Sequence, residues 1–168
     1  MKNSDEWREV ERQLADAVNY WVCTVRADLR PHAVPVWGVW WRGTLAFSSV
    51  GASVKVRNLR RNDRVSVHLE SASNVVMLDG HATEVTDRDA LVELGASFTA
   101  KYSALSGGTY DLVAAHSMGM AVCTVRPTAV RSWQAGDALA SSRWTFDDDG
   151  GVVLSRSSVA TEADAATG

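Results

Sequence analysis

Cysteine is scarce in this chain, with two in 168 residues, and neither belongs to a CxxC pair. Cys23 and Cys123 lie in apolar, strand-like stretches, which reads as small core thiols and excludes a disulfide framework or a metal site. Long apolar runs are also missing. Nothing approaches the ~18 consecutive apolar residues of a membrane span, and the beginning of the chain, with Asp5, Glu6, Arg8, Glu9, Glu11 and Arg12, has no signal-peptide apolar core. The expectation is a cytoplasmic protein that does not contact membrane. Excess positive charge is absent too: the formal net charge is −3 and the isoelectric point about 5.8. Non-specific affinity for a polyanion comes from many cationic contacts, so a general nucleic-acid binder is excluded.

The familiar catalytic signatures are equally lacking. There is no glycine fingerprint of a Rossmann dinucleotide site, no Walker A loop, no GxSxG elbow, no HExxH pair and no zinc-like Cys/His spacing. His32, His68, His81 and His116 are scattered and read as surface or hydrogen-bonded strand histidines. With no obvious nucleophile or base, and no catalytic side chain to name, any chemistry is expected to come from a cofactor.

What is present is a single-domain pattern with 46% hydrophobic residues, enough for a real core. Apolar residues at Trp7, Val10, Leu14 and Val18 among charges predict an amphipathic helix over Trp7–Val18. Short β-branched segments follow at 20–26, 31–41, 44–49, 64–70 and 74–86, with turn signals at Asp28, Arg42-Gly43 and Ser71-Ala72-Ser73. Asp87 announces a second helix to about Tyr102 that buries Leu91, Leu94 and Phe98. Closing strands are expected at 122–125, 129–133 and 142–146. Residues 147–168 read as a polar turn and a disordered, Ser/Ala/Thr-rich tail. The pentapeptide Val-Cys-Thr-Val-Arg occurs at 22–26 and again at 122–126, which reads as two strands in similar environments, since nothing beyond the flanking Ala-Val and tryptophan matches. Many short strands and few helices point to a mainly β chain, a closed or partly closed antiparallel barrel that leaves no exposed edges.

Residues 47–70 carry the most functional information. A strand ending at Phe47 passes through Ser48, Ser49 and Gly51 into a short helix opened by Ser53, and Asn62-Asp63 returns the chain to a strand. Unpaired amides and the positive dipole end at such a helix start favour an anion. Ser53 can cap or donate a hydroxyl, while Lys55 and Arg57 bring cations to the first turn. The arrangement suits a phosphate. Helical spacing of Ser53, Arg57, Arg60 and Arg64 also fits a solvated basic face, and both readings stay open at this level. Seven tryptophans, three of them at 37, 40 and 41, suit core packing or a dimer interface. They would equally suit a flat aromatic cofactor, with Trp133 and Trp144 covering it from elsewhere.

The ordered set Arg30–Trp40, Gly43–Ser49, Ser53–Leu59, Arg64–Glu70 and Val75–Ala82 resembles the pyridoxamine 5′-phosphate oxidase-like, FMN-binding split β-barrel proteins. Trp-Gly-Val-Trp at 37–40 and Ser-Arg-Trp-Thr-Phe at 142–146 are similar to the flavin/deazaflavin oxidoreductases of the B group. The resemblance implies a six-stranded antiparallel split β-barrel spanning residues 1–146, forming a homodimer with two cofactor sites at the subunit interface. It implies that Ser53, Lys55 and Arg57 bind the cofactor phosphate, with Asn58 supporting the turn. Backbone around Pro35, Val36 and Trp37, with Ser48 and Ser49, would line the ring, and Trp133, Arg143 and Trp144 would reach it from the partner subunit.

The function so implied is a reductase that uses the deazaflavin coenzyme F420 to deliver a hydride to a small electron-poor substrate. An FMN-dependent oxidoreductase of the same fold is the alternative, as is a non-catalytic flavin, haem or bilin carrier. The chain lacks the C-terminal substrate-binding signature of true pyridoxamine phosphate oxidases, which argues against vitamin B6 oxidation.

Overall fold

Six strands close on themselves around one core. The structure, a computed structural model, describes residues 2–135, 140–146 and 152–158. After helix α1 (Lys2–Asp16) come β1 (Asn19–Val25), β2 (Pro31–Trp41) and β3 (Thr44–Val50), then helix α2 (Val54–Arg61), β4 (Arg64–His68) and β5 (Asn74–Glu84). Helices α3 (Arg88–Ser106) and α4 (Leu112–Ser117) lead to β6 (Met120–Gln134), β7 (Ala140–Phe146) and β8 (Val152–Ser158). Every pairing is antiparallel, in the order β3-β2-β1-β4-β5-β6-β7-β8, and β3 also pairs with β6. That last ladder shuts the six-stranded barrel, so its strands lose the open edges that invite mispairing.

Strict alternation of buried and half-buried residues along β1 sends Tyr20 and Val22 inward to meet Phe47, Val67, Leu78 and Val125. Helix α1 contributes Val10 and Leu14 to this core. A second cluster lies outside the barrel wall, where Leu91, Leu94, Phe98 and Tyr102 of α3 pack on Val39, Ala46 and Val122. Asp87 caps α3 by accepting from the Ala90 amide at 2.9 Å. The helix runs four residues past the expected end, to Ser106, and Gly107, with a φ of 70°, stops it.

Three expectations change. Residues 122–125 and 129–133 belong to one strand, β6, which passes through Pro127. The register shifts at Asp79/Gly80, leaving Thr128 as an extra residue beside a proline that has no amide to donate. Gly80 permits the approach, since a Cβ there would stand 2.2 Å from the Arg126 carbonyl oxygen. Helix α4, unannounced in the sequence, is capped by Asp111 accepting from the Ala114 amide. Val152–Ser158, read as part of the turn and tail, pairs with β7 as β8; the remainder of that tail, 147–151 and 159–168, lies outside the described residues. Both cysteines are free thiols as expected, Cys123 fully buried and Cys23 half-buried. No helix among the described residues is long and apolar enough to cross a membrane.

Candidate functional site

Strand β3 ends where the barrel wall meets α2. The turn between them is held down by the Gly51 amide, which donates to the Gly119 carbonyl at 2.9 Å. A Cβ on Gly51 would lie 2.6 Å from that same oxygen, so only glycine fits the corner. Ser53 occupies the N-cap of α2 in extended conformation, yet its side chain makes no capping bond. Its hydroxyl lies instead 3.2 Å from that of Ser49, to which the Lys55 ammonium donates at 2.9 Å. The first amides of α2 are thus left without a side-chain cap, next to two hydroxyls and a lysine. Partial burial lowers the Lys55 pKa, as expected of a cation held off water with no carboxylate partner among the described residues.

The rest of α2 is strongly basic. Arg57 folds back onto the Ala52 carbonyl, and Arg60 bridges the Gly51 carbonyl and the Glu84 carboxylate at 2.9 and 3.0 Å. Asn58 is buried and donates to the Thr24 hydroxyl at 2.9 Å. It therefore ties α2 to β1, supporting the turn from beneath. Between α2 and the β1–β2 turn lies a cleft of about 600 Å³ lined by Arg26, Arg30, Arg57, Arg60 and Arg61, with Asp28. Arg30 is paired with Asp28 and Arg60 with Glu84. Arg26, Arg57 and Arg61 have no ion-pair partner among the described residues. Burial lowers the pKa of His32, on β2, and the charges of Arg26 and Lys55 lower it further.

Consecutive residues of a strand face opposite sides, so Ser48 points away from the Ser49–Lys55 cluster. It lines a second hollow, of about 350 Å³, together with Trp37 of β2. Trp37 stacks on Tyr102, with ring centroids 4.7 Å apart and planes within 3° of parallel. The Tyr102 hydroxyl accepts from the Gly38 amide at 2.9 Å and is 2.7 Å from the carbonyls of both Gly38 and Val18. Lys101 donates to the Gly38 carbonyl and to the Tyr20 hydroxyl. The backbone after Val36 and Trp37 is accordingly clamped from α3. The Val36 side chain is in the core and Pro35 is exposed beside Trp21.

Ser48, Ser49, Ser53, Lys55, Arg57 and Trp37 thus gather around one strand end, on its two sides. Trp133, Arg143 and Trp144 line neither hollow. Trp133 sits half-buried opposite Val75, and Arg143 is exposed opposite Arg131. The expectation that Trp144 reaches out to a partner subunit does not hold. It is 2% exposed in its own core, 5.8 Å from the Trp7 ring, and apolar burial of a side chain that large fixes it there. Sequence reasoning missed Arg26 and Arg61 of the cleft and Lys101 and Tyr102 of the clamp. The arginines carried a signal, a cationic residue before the turn at Asp28 and another at the end of α2, whereas the clamp depends on contacts distant in sequence.

The same shape recurs among solved structures. A conserved hypothetical protein of Mycobacterium tuberculosis is 24% identical, with a TM-score of 0.62 over 76% of this chain and 83% of its own. A pyridoxamine 5′-phosphate oxidase-related, FMN binding protein of Nostoc punctiforme is 13% identical, with a TM-score of 0.61 over 92% of this chain and 94% of its own. An F420 reductase is 22% identical, with a TM-score of 0.56 over 71% of this chain and 94% of its own. Likeness at these identities concerns the fold. No curated protein matches the chain. The family model for pyridoxamine 5′-phosphate oxidase matches residues 7–134, the span from α1 to the end of β6 that builds the barrel and the α2 corner, and the chain belongs to that family.

Proposed function

We propose that the protein is a homodimeric reductase that binds coenzyme F420 on the barrel of residues 1–146 and passes a hydride to a small electron-poor organic substrate. The observation that carries this reading is the arginine cleft between α2 and the β1–β2 turn. Ser49, Ser53, Lys55 and the uncapped amides of α2 would hold the phosphate. Arg26, Arg57 and Arg61 would meet negative charge beyond it. F420 carries carboxylates past its phosphate, whereas FMN ends at the phosphate and leaves those arginines idle. The backbone of Pro35, Val36 and Trp37, with Ser48, would line the ring. When bound, the deazaflavin supplies a hydride at its reduced ring. The chain's own work is to bind, orient and exclude water.

The phosphate cluster alone serves FMN equally well, and this supports an FMN-dependent oxidoreductase as the second reading. Titration of the purified protein with F420 and with FMN, followed by ring fluorescence, separates the two. The first reading expects tighter F420 binding, and FMN bound more tightly than F420 would replace it with the second. The dimer is supported by an outer barrel face on which Pro35, Trp21, His68 and Met77 stand in one cross-strand row, near the Val75–Trp133 pair. Such a half-buried aromatic face suits a second copy. Sedimentation at micromolar concentration checks it, and a monomer with full cofactor affinity would rule out a shared site.

A further inference from the structure

The outer face of the barrel carries a basic row that neither the arginine cleft nor the α2 corner uses. Arg64 of β4 stands opposite His81 of β5, and His81 opposite Arg126 of β6, all three exposed. Side chains opposite one another on adjacent strands lie about 4.5–5.5 Å apart at Cβ, and like charges so placed repel. His81 Nδ1 is 2.9 Å from the Asp63 carboxylate, whereas Arg64 and Arg126 have no ion-pair partner among the described residues. Beside the row lies a hollow of about 370 Å³, in the range of small-molecule sites, whose lining includes Arg64, His81, Ser66, Cys23, Val25 and Pro31. We propose that the row and this hollow form a binding site for a small carboxylic acid with an apolar body, separate from the α2 corner. Binding there does not depend on which cofactor the protein uses.

Three observations set the ligand's chemistry. The free guanidinium of Arg64 presents planar, paired donors that match a carboxylate, and the Ser66 hydroxyl, without a hydrogen-bond partner among the described residues, adds another. Val25, Pro31 and the half-buried Cys23 thiol give the hollow an apolar wall for the rest of the molecule. Asp79 also lines it, with its carboxylate 3.0 Å from Arg131, and Asp63 stands behind His81. Two carboxylates so near repel a dianion more than a single charge, so the head group is a carboxylate and not a phosphate monoester. The hollow lies where the register shift at Asp79/Gly80 leaves Thr128 as an extra residue and breaks the flat ladder between β5 and β6. It sits one cross-strand row beyond Trp21, His68 and Met77, at the margin of the face proposed for a second copy.

2-Naphthoate, 2-naphthamide and 2-naphthyl phosphate provide the test, since they share one ring system and differ in the charge of the head group. Binding is followed in the full-length protein through the imidazole C–H resonances of His81, identified by their loss in His81→Gln. Naphthoate is expected to shift them saturably, the uncharged amide to bind at least about tenfold more weakly, and the phosphate to bind more weakly than naphthoate. Arg64→Gln should weaken naphthoate about tenfold, and Arg126→Gln about two- to fivefold, as suits an exposed charge at the edge of the site. Both side chains are exposed, so Tm should be unchanged in each variant. Lys55→Ala, at the α2 corner, should leave naphthoate affinity as it is. No saturable shift at millimolar concentration, or equal affinity for the amide, would overturn the inference. So would tighter binding of the phosphate, or loss of naphthoate in Lys55→Ala with retention in Arg64→Gln, which would place the anion at the α2 corner.

Discussion

The Tyr102 hydroxyl accepts a hydrogen bond from the Gly38 amide at 2.9 Å while its ring lies flat under Trp37. One side chain of α3 thereby holds both the backbone and the indole of the segment proposed to line the ring. Tyr102→Phe should keep the stack and lose the clamp. An orphaned buried amide costs about 1–3 kcal/mol, so thermal unfolding should begin several degrees lower. The Trp37 indole N–H resonance should stay near its wild-type position. An unchanged Tm would show that Lys101 alone suffices to hold Gly38.

Lys55 has no carboxylate partner among the described residues and donates to Ser49 at 2.9 Å. Loss of a charge-assisted contact to a phosphate is typically worth ~1.5–3 kcal/mol, so Lys55→Ala should weaken cofactor binding about tenfold or more. Arg57→Ala, at the more exposed position, should weaken it less. Circular dichroism should be unchanged in both, because neither side chain enters the core. Unaltered affinity in both variants would remove the phosphate from α2.

Lys101 is packed against the rings of Tyr20 and Tyr102, and burial pulls its pKa from 10.5 down to about 8. Between those two values the unfolded chain binds the proton that the folded chain has shed. By linkage this residue makes stability rise with pH across that window, and below about 8 the folded state carries an ill-placed charge. Tyr20, Tyr102 and the thiols, all pushed upward by burial, act in the opposite sense. The comparison is therefore with Lys101→Met, which keeps them all. Urea unfolding at pH 7.5 and 9.5 should show wild type gaining on the variant at the higher pH.

Much of this architecture is legible locally. The alternation in β1, the Asp87 cap and the small-residue turn into α2 are short-range signals, and each marks an element close to where it lies. Ser53 and Lys55 were readable as neighbours because both open one helix, whereas Ser49, expected with Ser48 beside the ring, turns instead toward Ser53 and Lys55. The expected separation of 122–125 from 129–133, either side of Pro127, failed for the complementary reason. A proline reads as a break until Gly80, far along the chain, is known to lie beside it and absorb the bulge. The Tyr102 clamp was hidden likewise, because spacing along α3 marks a residue as inward-facing without revealing that its hydroxyl meets a glycine 64 positions earlier. Trp144 shows the limit of motif transfer, since its short motif placed it at a site while its burial against Trp7 places it in the core.

The choice between cofactors turns on the guanidinium groups of Arg26 and Arg61, which line the cleft without an ion-pair partner among the described residues. FMN has no group to place there. Reversing both charges, with Arg26→Glu and Arg61→Glu together, should weaken F420 about tenfold, since exposed charge contacts are individually modest, and should leave FMN affinity nearly unchanged. The two cofactors also differ toward oxygen. A reduced deazaflavin transfers hydride but reacts poorly with O₂ by single electrons, so turnover with F420 should proceed equally in air and under nitrogen and release no hydrogen peroxide. Equal weakening of both cofactors by the charge reversal would show that the cleft acts only through general electrostatics. Tight FMN binding with oxygen-dependent turnover would make the protein a flavin enzyme whose arginine cleft serves something other than the cofactor.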